Sequence, residues 1–426
     1  MSSHPATDNA GVIADLCARK PKGANFGIDR MRALVDALGH PERVTPCIHV
    51  AGTNGKGSVS AMLDSILRHA GWRCGLYTSP HLVKVGERVQ VNRVPLADAE
   101  IVACLRKLDP VGEKLALVSA ELRPSFFELM TAMAFLRFAE THCDIAVIEV
   151  GLGGRLDATN VVTPEVSVIT SIAHDHCEIL GYELEQIASE KAGIIKPGVP
   201  VVIGRVPREA ETVIRARAAQ LGAAVVSVAE SYGDTAERLP FTRLEGAYQR
   251  WNAATASLAA QTLSARWRMT SEAVTAGLAE VEWSGRWQRT TLGGRLLILD
   301  SSHNSEGAAV LDANLGSLVR ETGRAPIVIT GVLGAVRAES LLAAVCRHAK
   351  ELHLVRPNQP RACSFAELEA LIPRDYAGLV VRDNVEQLFP EPRRCAVGGP
   401  DDVIVVTGSI YLLGEVMGRL RLETEE

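Results

Sequence analysis

The stretch His49-Val50-Ala51-Gly52-Thr53-Asn54-Gly55-Lys56-Gly57-Ser58 determines how the rest of the chain is interpreted. Residues 46–51 have the pattern of a short buried strand, and residues 58–69 carry apolar side chains at helical spacing. Between a strand and a helix, a glycine-rich turn directs backbone N–H groups inward, and the helix N-terminus and Lys56 add positive charge. The pattern predicts a loop that binds a nucleotide phosphate.

The loop departs from the ordinary P-loop at two positions. That pattern has a glycine, four residues, and then Gly-Lys-Ser/Thr. Here Val50 stands where the first glycine belongs, and Gly57 separates Lys56 from Ser58. The alternative is a glycine turn without a ligand. A lysine among glycines has no obvious packing role, so we expect the loop to bind phosphate despite both changes.

Length and composition predict a two-domain protein and exclude several classes. The chain has 426 residues, 47% of them hydrophobic, and a net charge of −5 with the signs interspersed. No basic face for nucleic acid is indicated. The nine cysteines include no C-x-x-C pair, which favours free thiols in a reducing compartment over disulfides or structural zinc.

The sequence also shows no sign of export or membrane insertion. Residues 1–9 are polar and lack the charged-then-apolar design of a signal peptide. No apolar run approaches the roughly 20 residues that a membrane span requires. We therefore expect a cytoplasmic monomer that acts on small molecules and contacts neither membranes nor nucleic acid.

Strands and helices alternate along residues 46–228, as in a doubly wound α/β sheet. Before them, a helical region at 11–39 is interrupted by the loop 20–27, which either contacts a ligand or only connects two helices. Ligands bind such sheets at the carboxyl ends of the strands. Four polar residues fall at or just after predicted strand ends: Lys56, Ser79, Glu149 and His176. Their convergence predicts a site at that edge.

A second α/β series begins at residue 296 and continues to 421. The glycine-containing stretch 285–294 before it is interpreted as a linker. We therefore place the domain boundary near 290, with a nucleotide-binding domain over 1–290 and a smaller α/β domain over 291–426.

The residues at the strand ends suit magnesium bound to nucleotide phosphates. Such magnesium takes hard oxygen ligands and keeps several waters. Glu149 ends an apolar strand, where a carboxylate is costly unless it is paired or bound to metal, and the hydroxyl of Ser79 is a suitable partner. A salt bridge from Glu149 to Arg155 or another base, and a simple Ser-Pro turn at Ser79, are the alternatives. His174 and His176 flank Asp175 after a strand, and one of the two is a further candidate ligand.

Six stretches together resemble the folylpolyglutamate synthase/dihydrofolate synthase family, a branch of the Mur-ligase-like ATP-dependent ligases. They are HVAGTNGKGS (49–58), LYTSPHLVKVGERVQVN (76–92), IEVGLGGRLDATNVV (148–162), TSIAHDHCEILG (170–181), EKAGIIKPGVPVV (190–202) and VTGSIYLLGEV (406–416). The resemblance extends from about residue 11 to about residue 421. It implies a P-loop nucleotide-binding domain, a smaller C-terminal Rossmann-like α/β domain, and an active site in the cleft between them.

The resemblance implies that an acceptor carboxylate is phosphorylated by ATP and that the amine of glutamate then displaces phosphate. Such chemistry depends on positioning and charge neutralisation. The implied nucleotide-binding residues are Asn54, Gly55, Lys56, Gly57, Ser58, Asn252, Arg286 and Asp300. One magnesium is assigned to Ser79 and Glu149 and a second to His176. The implied catalytic residues are Lys56, Lys191 and His303, with Lys191 carbamylated. Without the resemblance, Lys191 would be interpreted as a solvated helix residue.

The implied acceptor is dihydropteroate, held by two segments. They comprise Ser125, Phe126, Phe127 and Glu128, and Leu156, Asp157 and Ala158. A flat bicyclic ring against Phe127, with polar groups at its edge, is a suitable pocket. Packing of Phe127 in the core of the predicted 124–141 helix is the alternative.

Two segments of the C-terminal domain depart from the family pattern. An Asp-Lys-Asp motif is expected after the strand 327–331, but the chain has Gly331-Val332-Leu333-Gly334-Ala335-Val336-Arg337. Ser301-Ser302 replaces a small apolar pair before His303. These changes leave the amino-acid specificity open. The guanidinium fork of Arg337 suits a carboxylate of glutamate.

We therefore expect a ligase that joins L-glutamate to dihydropteroate and adds further glutamates to reduced folates. A related ligase for another acid or amino acid is the first alternative. A P-loop kinase or ATPase, and a nucleotide-binding protein without catalysis, are alternatives from other classes.

Overall fold

The computed structural model describes residues 9–19, 28–233 and 235–421. The predicted loop 20–27 lies outside these residues. The chain forms two compact units, one from Met1–Arg243 and Arg250–Val281 and the other from Leu244–Gln249 and Glu282–Glu426. Among the described residues, no helix combines the length and apolar character needed to cross a membrane.

The strands of the first unit form an eight-stranded sheet in the order β4-β3-β2-β5-β1-β6-β7-β8. They are β1 (Cys47–Ala51), β2 (Cys74–Tyr77), β3 (Val89–Val91), β4 (Val94–Pro95), β5 (Ile145–Glu149), β6 (Val166–Ile169), β7 (Val201–Ile203) and β8 (Val225–Ser227). The neighbouring strands in the series β2-β5-β1-β6-β7-β8 pair in parallel. The pairs β2–β3 and β3–β4 are antiparallel. Strands β1, β2, β5, β6 and β7 are buried throughout, as expected for a parallel sheet covered on both faces. The α/β prediction is confirmed.

Along residues 9–280, helices precede β1, lie between the strands and follow β8. They are α1 (Asn9–Ala18), α2 (Ile28–Ala37), α3 (Lys56–His69), α4 (Asp98–Val118), α5 (Phe126–Glu140), α6 (Cys177–Leu180), α7 (Leu184–Ala192), α8 (Arg208–Gln220), α9 (Val228–Tyr232), α10 (Ala247–Trp267) and α11 (Ser271–Glu280). The sequence pattern predicts a helix over 96–108, but α4 continues to Val118, with Leu108 and Gly112 on its buried face either side of Pro110. The alternating pattern of 85–91 predicts a strand, but Val85–Arg88 form a 3-10 helix and only Val89–Val91 are strand.

The second unit contains a six-stranded sheet in the order β13-β12-β11-β14-β10-β9. Its strands are β9 (Gln288–Leu292), β10 (Arg295–Leu299), β11 (Ile327–Thr330), β12 (Glu351–Val355), β13 (Leu379–Asp383) and β14 (Ile404–Thr407). Its helices are α12 (Ser305–Thr322), α13 (Ala335–Cys346), α14 (Phe365–Ala370), α15 (Val385–Leu388) and α16 (Ile410–Leu420). All strand pairs are parallel except β9–β10.

The linker interpretation of residues 285–294 is wrong. This stretch contains β9, which pairs antiparallel with β10 across the turn Gly293-Gly294. Both glycines have positive φ, 57° and 81°, as a two-residue hairpin turn with the twist of the flanking strands requires. Residue 290 therefore lies inside a strand.

A buried ion pair ties the N-terminal helices to the first unit's core. Nε of Arg30, on α2, donates to Oε1 of Glu128, on α5, at 2.8 Å, and their side chains are only 8% and 6% exposed. Leu16 and Met31 pack nearby in the same apolar cluster. Removing one partner would leave a charge buried without its counter-ion.

We expect Arg30→Met to lower the free energy of unfolding by about 3–5 kcal/mol. The control is Arg32→Met on the same helix, because the Arg32–Asp29 pair is largely exposed and such pairs contribute at most about 1 kcal/mol. Urea unfolding followed by circular dichroism measures both. Equal midpoints for the two variants would contradict the structural role given to Arg30.

Candidate active site

The phosphate loop, which comprises residues 52–58, is held by hydrogen bonds to residues at the carboxyl end of β6. The backbone N–H of Thr53 donates to the carbonyl of Ser171 at 2.8 Å, and that of Asn54 donates to Oγ of Ser171 at 3.0 Å. Oγ1 of Thr170 donates to the carbonyl of Asn54 at 2.6 Å. The loop is therefore held to the end of a neighbouring strand by the chain's own hydrogen bonds.

Gly55 and Asn252 meet at the start of α3. Gly55 caps this helix with φ of 83°, and a Cβ atom there would lie 2.5 Å from Oδ1 of Asn252. A side chain at Gly55 is thus excluded both by backbone conformation and by Asn252. Lys56, Gly57 and Ser58 form the first turn of α3, at the end of the helix where the aligned backbone dipoles favour an anion. The structure places the predicted loop and Asn252 side by side.

Two lysines share one carbonyl oxygen in this loop. Nζ of Lys56 donates to the carbonyl of Gly52 at 2.8 Å, and Nζ of Lys191 donates to the same oxygen at 3.0 Å. Lys191 is 4% exposed. Burial, together with the charge of Lys56, lowers the pKa of Lys191 to about 7, although Asp175 and Asp157 act in the opposite direction. Lys191 is thus a buried amine and not the solvated residue that its sequence position indicated.

Glu149 ends β5 with a carboxylate that is 3% exposed. Its Oε2 accepts from the backbone N–H of Ser79 at 3.1 Å. The alternative salt bridge to Arg155 is not formed, because Arg155 donates to Oε1 of Glu190 through both Nε and Nη2. The predicted partners Ser79 and Glu149 are therefore adjacent.

These residues fit magnesium as part of a nucleotide complex. The described residues include no cluster of three or more His, Cys, Asp or Glu side chains that could bind a metal. Magnesium bound to a nucleotide needs only one or two protein carboxylates, because phosphates and waters complete its shell. Glu149 and the hydroxyl of Ser79 meet that requirement. His176, whose Nε2 is 3.9 Å from Oδ1 of Asp175, remains a predicted ligand.

The segment from Ser125 to Glu128 begins α5, and Glu128 holds it in place. Oε2 of Glu128 accepts from the backbone N–H of Ser125 at 2.7 Å, while Oε1 accepts from Arg30. Glu128 is 5% exposed. Both carboxylate oxygens of Glu128 thus accept hydrogen bonds from the protein, and the carboxylate orients the start of α5.

The two predicted acceptor segments meet at Phe127. A Cβ atom at Gly151 would overlap the Phe127 ring, so the loop after β5 lies directly against it. Asp157 shapes this loop, because its Oδ2 accepts from the N–H groups of Gly151 and Leu152 at 3.1 and 2.9 Å. Ala158 is buried and Leu156 is 38% exposed. Phe127 is partly buried against the apolar cluster of the first unit, so it has a packing role as well.

The predicted residues of the second unit form their own network after β10. Asp300 is 2% exposed and accepts from the backbone N–H groups of Trp287 and Ser302 at 3.1 and 3.0 Å. Arg286 donates to the hydroxyl of Ser301. Nδ1 of His303 lies 2.9 Å from the carbonyl of Ser301, so Nδ1 carries a proton. Ser301, a departure from the family pattern, thus contacts Arg286 and His303.

The residues that support the site are not among the predicted site residues. Thr170 and Ser171 anchor the phosphate loop, and Arg30 anchors Glu128. Thr170 and Ser171 directly follow the apolar strand β6, and residues at such strand ends commonly line ligand sites, so their position was an available signal. No local signal identifies Arg30, because its partner lies 98 residues away in the chain.

Comparison with known proteins places the chain in a family. A model of the Mur ligase middle domain matches residues 50–244. The dihydrofolate synthase/folylpolyglutamate synthase of Bacillus subtilis is 36% identical over 94% of this chain and 96% of that protein. Among solved structures, Mycobacterium tuberculosis folylpolyglutamate synthase complexed with ADP and AMPPCP has 30% identity and a TM-score of 0.81, covering 96% and 98% of the two chains. Escherichia coli FolC in complex with DHPP and ADP has 28% identity and a TM-score of 0.83, covering 99% of each.

The fold, the phosphate loop and these matches define an ATP-dependent ligase of the Mur ligase type. More specifically, the chain belongs to the dihydrofolate synthase/folylpolyglutamate synthase family. The resemblance noted in the sequence is confirmed, and a P-loop kinase is not supported.

The low pKa of Lys191 predicts a pH-dependent stability. The pKa is about 7 in the folded chain and about 10.5 when unfolded, so the unfolded chain binds more protons between these values. The free energy of unfolding therefore rises with pH in this window, by at most about 1.4 kcal/mol per pH unit from this group.

We expect Lys191→Met to unfold at higher urea than the unmodified protein at pH 7, with the difference shrinking toward pH 9. Urea titrations at pH 7, 8 and 9 in carbonate-free buffer measure this. Lys107→Met, at an exposed lysine paired with Glu140, is the control and keeps the original slope. The same pH slope in Lys191→Met and in the unmodified protein would contradict the assignment.

Proposed function

We propose that this chain uses ATP to join L-glutamate to dihydropteroate, and that it adds further glutamates to reduced folates. The observation that carries the proposal is the chain-long identity with the Bacillus subtilis enzyme of that double name, combined with the intact phosphate loop. Binding of DHPP and ADP by Escherichia coli FolC supports the same substrates. The cysteine pattern supports a cytoplasmic location.

The reaction has two steps. A carboxylate oxygen of the acceptor attacks the γ-phosphorus of ATP, the bond from this phosphorus to the β,γ-bridging oxygen breaks, and ADP leaves. The amine of glutamate then attacks the acyl carbon of the resulting acyl phosphate. Inorganic phosphate leaves, the nitrogen loses a proton, and an amide remains. Both steps move negative charge and therefore depend on fixed positive groups and backbone donors.

The phosphate loop supplies those groups. Asn54, Gly55, Gly57 and Ser58 surround the phosphates, and Lys56 brings a positive charge held within the loop by the carbonyls of Gly52 and Thr53. Asn252, adjacent to Gly55, is assigned to the adenine. Magnesium held by Glu149 and Ser79 would neutralise phosphate charge, with His176 assigned to a second ion.

We assign carbamylation to Lys191. The neutral amine attacks CO2, an N–C bond forms, and a proton leaves, which gives an anionic carbamate. Only the unprotonated amine can react, so a pKa of about 7 supports the assignment. The carbamate oxygens then replace a buried cation with an anion next to Lys56, which also removes the repulsion between the two lysines.

The acceptor ring is assigned to the pocket at Phe127. Ser125, Phe126 and Glu128 start α5 on one side, and the loop containing Leu156, Asp157 and Ala158 lies on the other. In the second unit, Arg286 and Asp300 are assigned to the nucleotide and His303 to the reacting groups. Because Asp300 already accepts two backbone hydrogen bonds, its role includes shaping the 301–303 turn.

A different amino-acid specificity is the second candidate, supported by the altered segment after β11. Residues 331–337 lack acids and lysine, and Arg337 lies in the first turn of α13. The guanidinium of Arg337 is assigned to a carboxylate of the incoming amino acid in place of the missing lysine.

Phosphate release tests the proposal. We expect release from ATP and magnesium only when dihydropteroate and glutamate are both present, and with tetrahydrofolate plus glutamate for the second activity. Chelation of magnesium abolishes release. Removal of CO2 lowers the rate, bicarbonate restores it, and Lys191→Arg fails to respond. Release with the acceptor alone would support a kinase, and silence with both acceptors would require a panel of acids and amino acids.

We expect Arg337→Ala to raise the KM for glutamate about tenfold or more, because a charge-assisted hydrogen bond is lost. The KM for ATP stays unchanged. Arg347→Ala, at the other end of α13, pairs with Asp312 and serves as the control. An unchanged KM for glutamate in Arg337→Ala would remove the residue from the site.

A further inference from the structure

A chain of hydrogen bonds links the middle of the first sheet to the loop after β5. His49 lies on β1 with none of its surface exposed. Its Nε2 is 2.9 Å from Oγ1 of Thr159, and this hydroxyl donates to Oδ1 of Asp157 at 2.5 Å. A buried histidine is thus connected through one hydroxyl to a carboxylate in the proposed acceptor segment.

The direction of these bonds fixes the tautomer of His49. The Thr159 hydroxyl has a single proton and gives it to Asp157, so it must accept from His49, and Nε2 carries the ring proton. Nδ1 of His49 has no hydrogen-bond partner among the described residues. The other tautomer would bury an N–H group without an acceptor and would draw the Thr159 proton away from Asp157. Burial, with a contribution from Lys196, lowers the pKa of His49 to about 3, so the ring is neutral.

Asp157 connects these hydrogen bonds to the loop 151–158, which is proposed to contact the acceptor. Oδ1 of Asp157 also accepts from the backbone N–H of Thr159 at 2.9 Å, and Oδ2 accepts from Gly151 and Leu152. Gly151 in turn lies against the Phe127 ring. A rotation of Asp157 would therefore release the two N–H groups and shift the loop relative to Phe127.

We propose that His49 is a positioning residue for the acceptor acid: its Nε2–H group orients the Thr159 hydroxyl toward Asp157 and so holds the 151–158 loop against Phe127. The proposal rests on the assignment of this loop to the acceptor. His49 is fully buried, so it acts only through Thr159. Its effect should therefore fall on acceptor binding and not on ATP binding, although β1 leads directly into the phosphate loop.

Steady-state kinetics with dihydropteroate and ATP as varied substrates test the proposal. We expect His49→Leu, which removes the donor, to raise the KM for dihydropteroate about tenfold, in line with one lost buried hydrogen bond. His49→Gln keeps an N–H donor and should restore most of the affinity. Thr159→Val should match His49→Leu, and Thr159→Ser should stay close to the unmodified enzyme. The KM for ATP should change by less than about twofold throughout.

A double variant separates positioning from general damage. If His49 acts only through Thr159, adding His49→Leu to Thr159→Val produces no further rise in the KM for dihydropteroate. Ser167→Ala is the matched control, because Ser167 is the equally buried register partner of His49 on β6 and its hydroxyl donates to Ile194 instead. Additive effects, or equal rises in both KM values, would overturn the proposal.

A second measurement needs no substrate. In 15N-histidine-labelled protein, the signal lost in His49→Gln identifies His49, and we expect the proton on Nε2 and a shift of this signal in Thr159→Val. A proton on Nδ1, or an unshifted His49 signal in Thr159→Val, would contradict the proposed hydrogen bonds from His49 through Thr159 to Asp157. This test remains possible if the variants are too unstable for kinetics. Absence of turnover by the unmodified enzyme with dihydropteroate would instead refute the proposed acceptor. The nitrogen signals alone would then show whether His49 is hydrogen-bonded to Thr159 as proposed.

Discussion

The carbonyl oxygen of Gly52 is the point on which the first unit's site depends. It accepts from both Lys56 and Lys191, which brings two amines together in a place with little access to water. Two like charges in such surroundings are unfavourable, so burial and Lys56 lower the pKa of Lys191. Ser171 holds the two residues that follow this carbonyl. One backbone group thus joins a partly buried lysine to a fully buried one.

The strand order explains why this site and the proposed acceptor pocket are neighbours. β1 lies between β5 and β6, so the phosphate loop, Glu149 and the Thr170-Ser171 pair emerge side by side at the same edge of the sheet. The Gly151 loop follows Glu149 directly, so the pocket proposed for the acceptor lies beside the phosphate loop. Adjacent carboxyl ends of parallel strands bring together groups as distant in sequence as Asn54 and Ser171, which are 117 residues apart.

The sequence was sufficient to predict an element of the fold where a single local pattern determined it. Apolar runs such as 47–51 and 145–149 are strands buried on both faces, and no other element suits them. It failed where two signals competed. Gly293-Gly294 marks a hairpin as well as a linker, and only the pairing of β9 with β10 decides between them. The helix predicted to end at Leu108 continues to Val118 although Pro110 removes one backbone donor, and Leu108 and Gly112 lie on its buried face.

For the site, position at a strand end predicted Lys56, Ser79, Glu149 and His176, and the family resemblance supplied the other residues proposed to contact ligands. Neither identified the groups that orient them. Glu128 belongs to a motif, yet its carboxylate is engaged by Arg30, and nothing near Glu128 in the sequence indicates this. Lys191 lies on an ordinary helix, and its unusual environment arises from a carbonyl 139 residues away. His49 is a polar residue in an apolar strand, a signal that marks a buried hydrogen bond without naming its partner. Such residues act through side chains that only the folded sheet brings together, so their roles follow from geometry and not from motif.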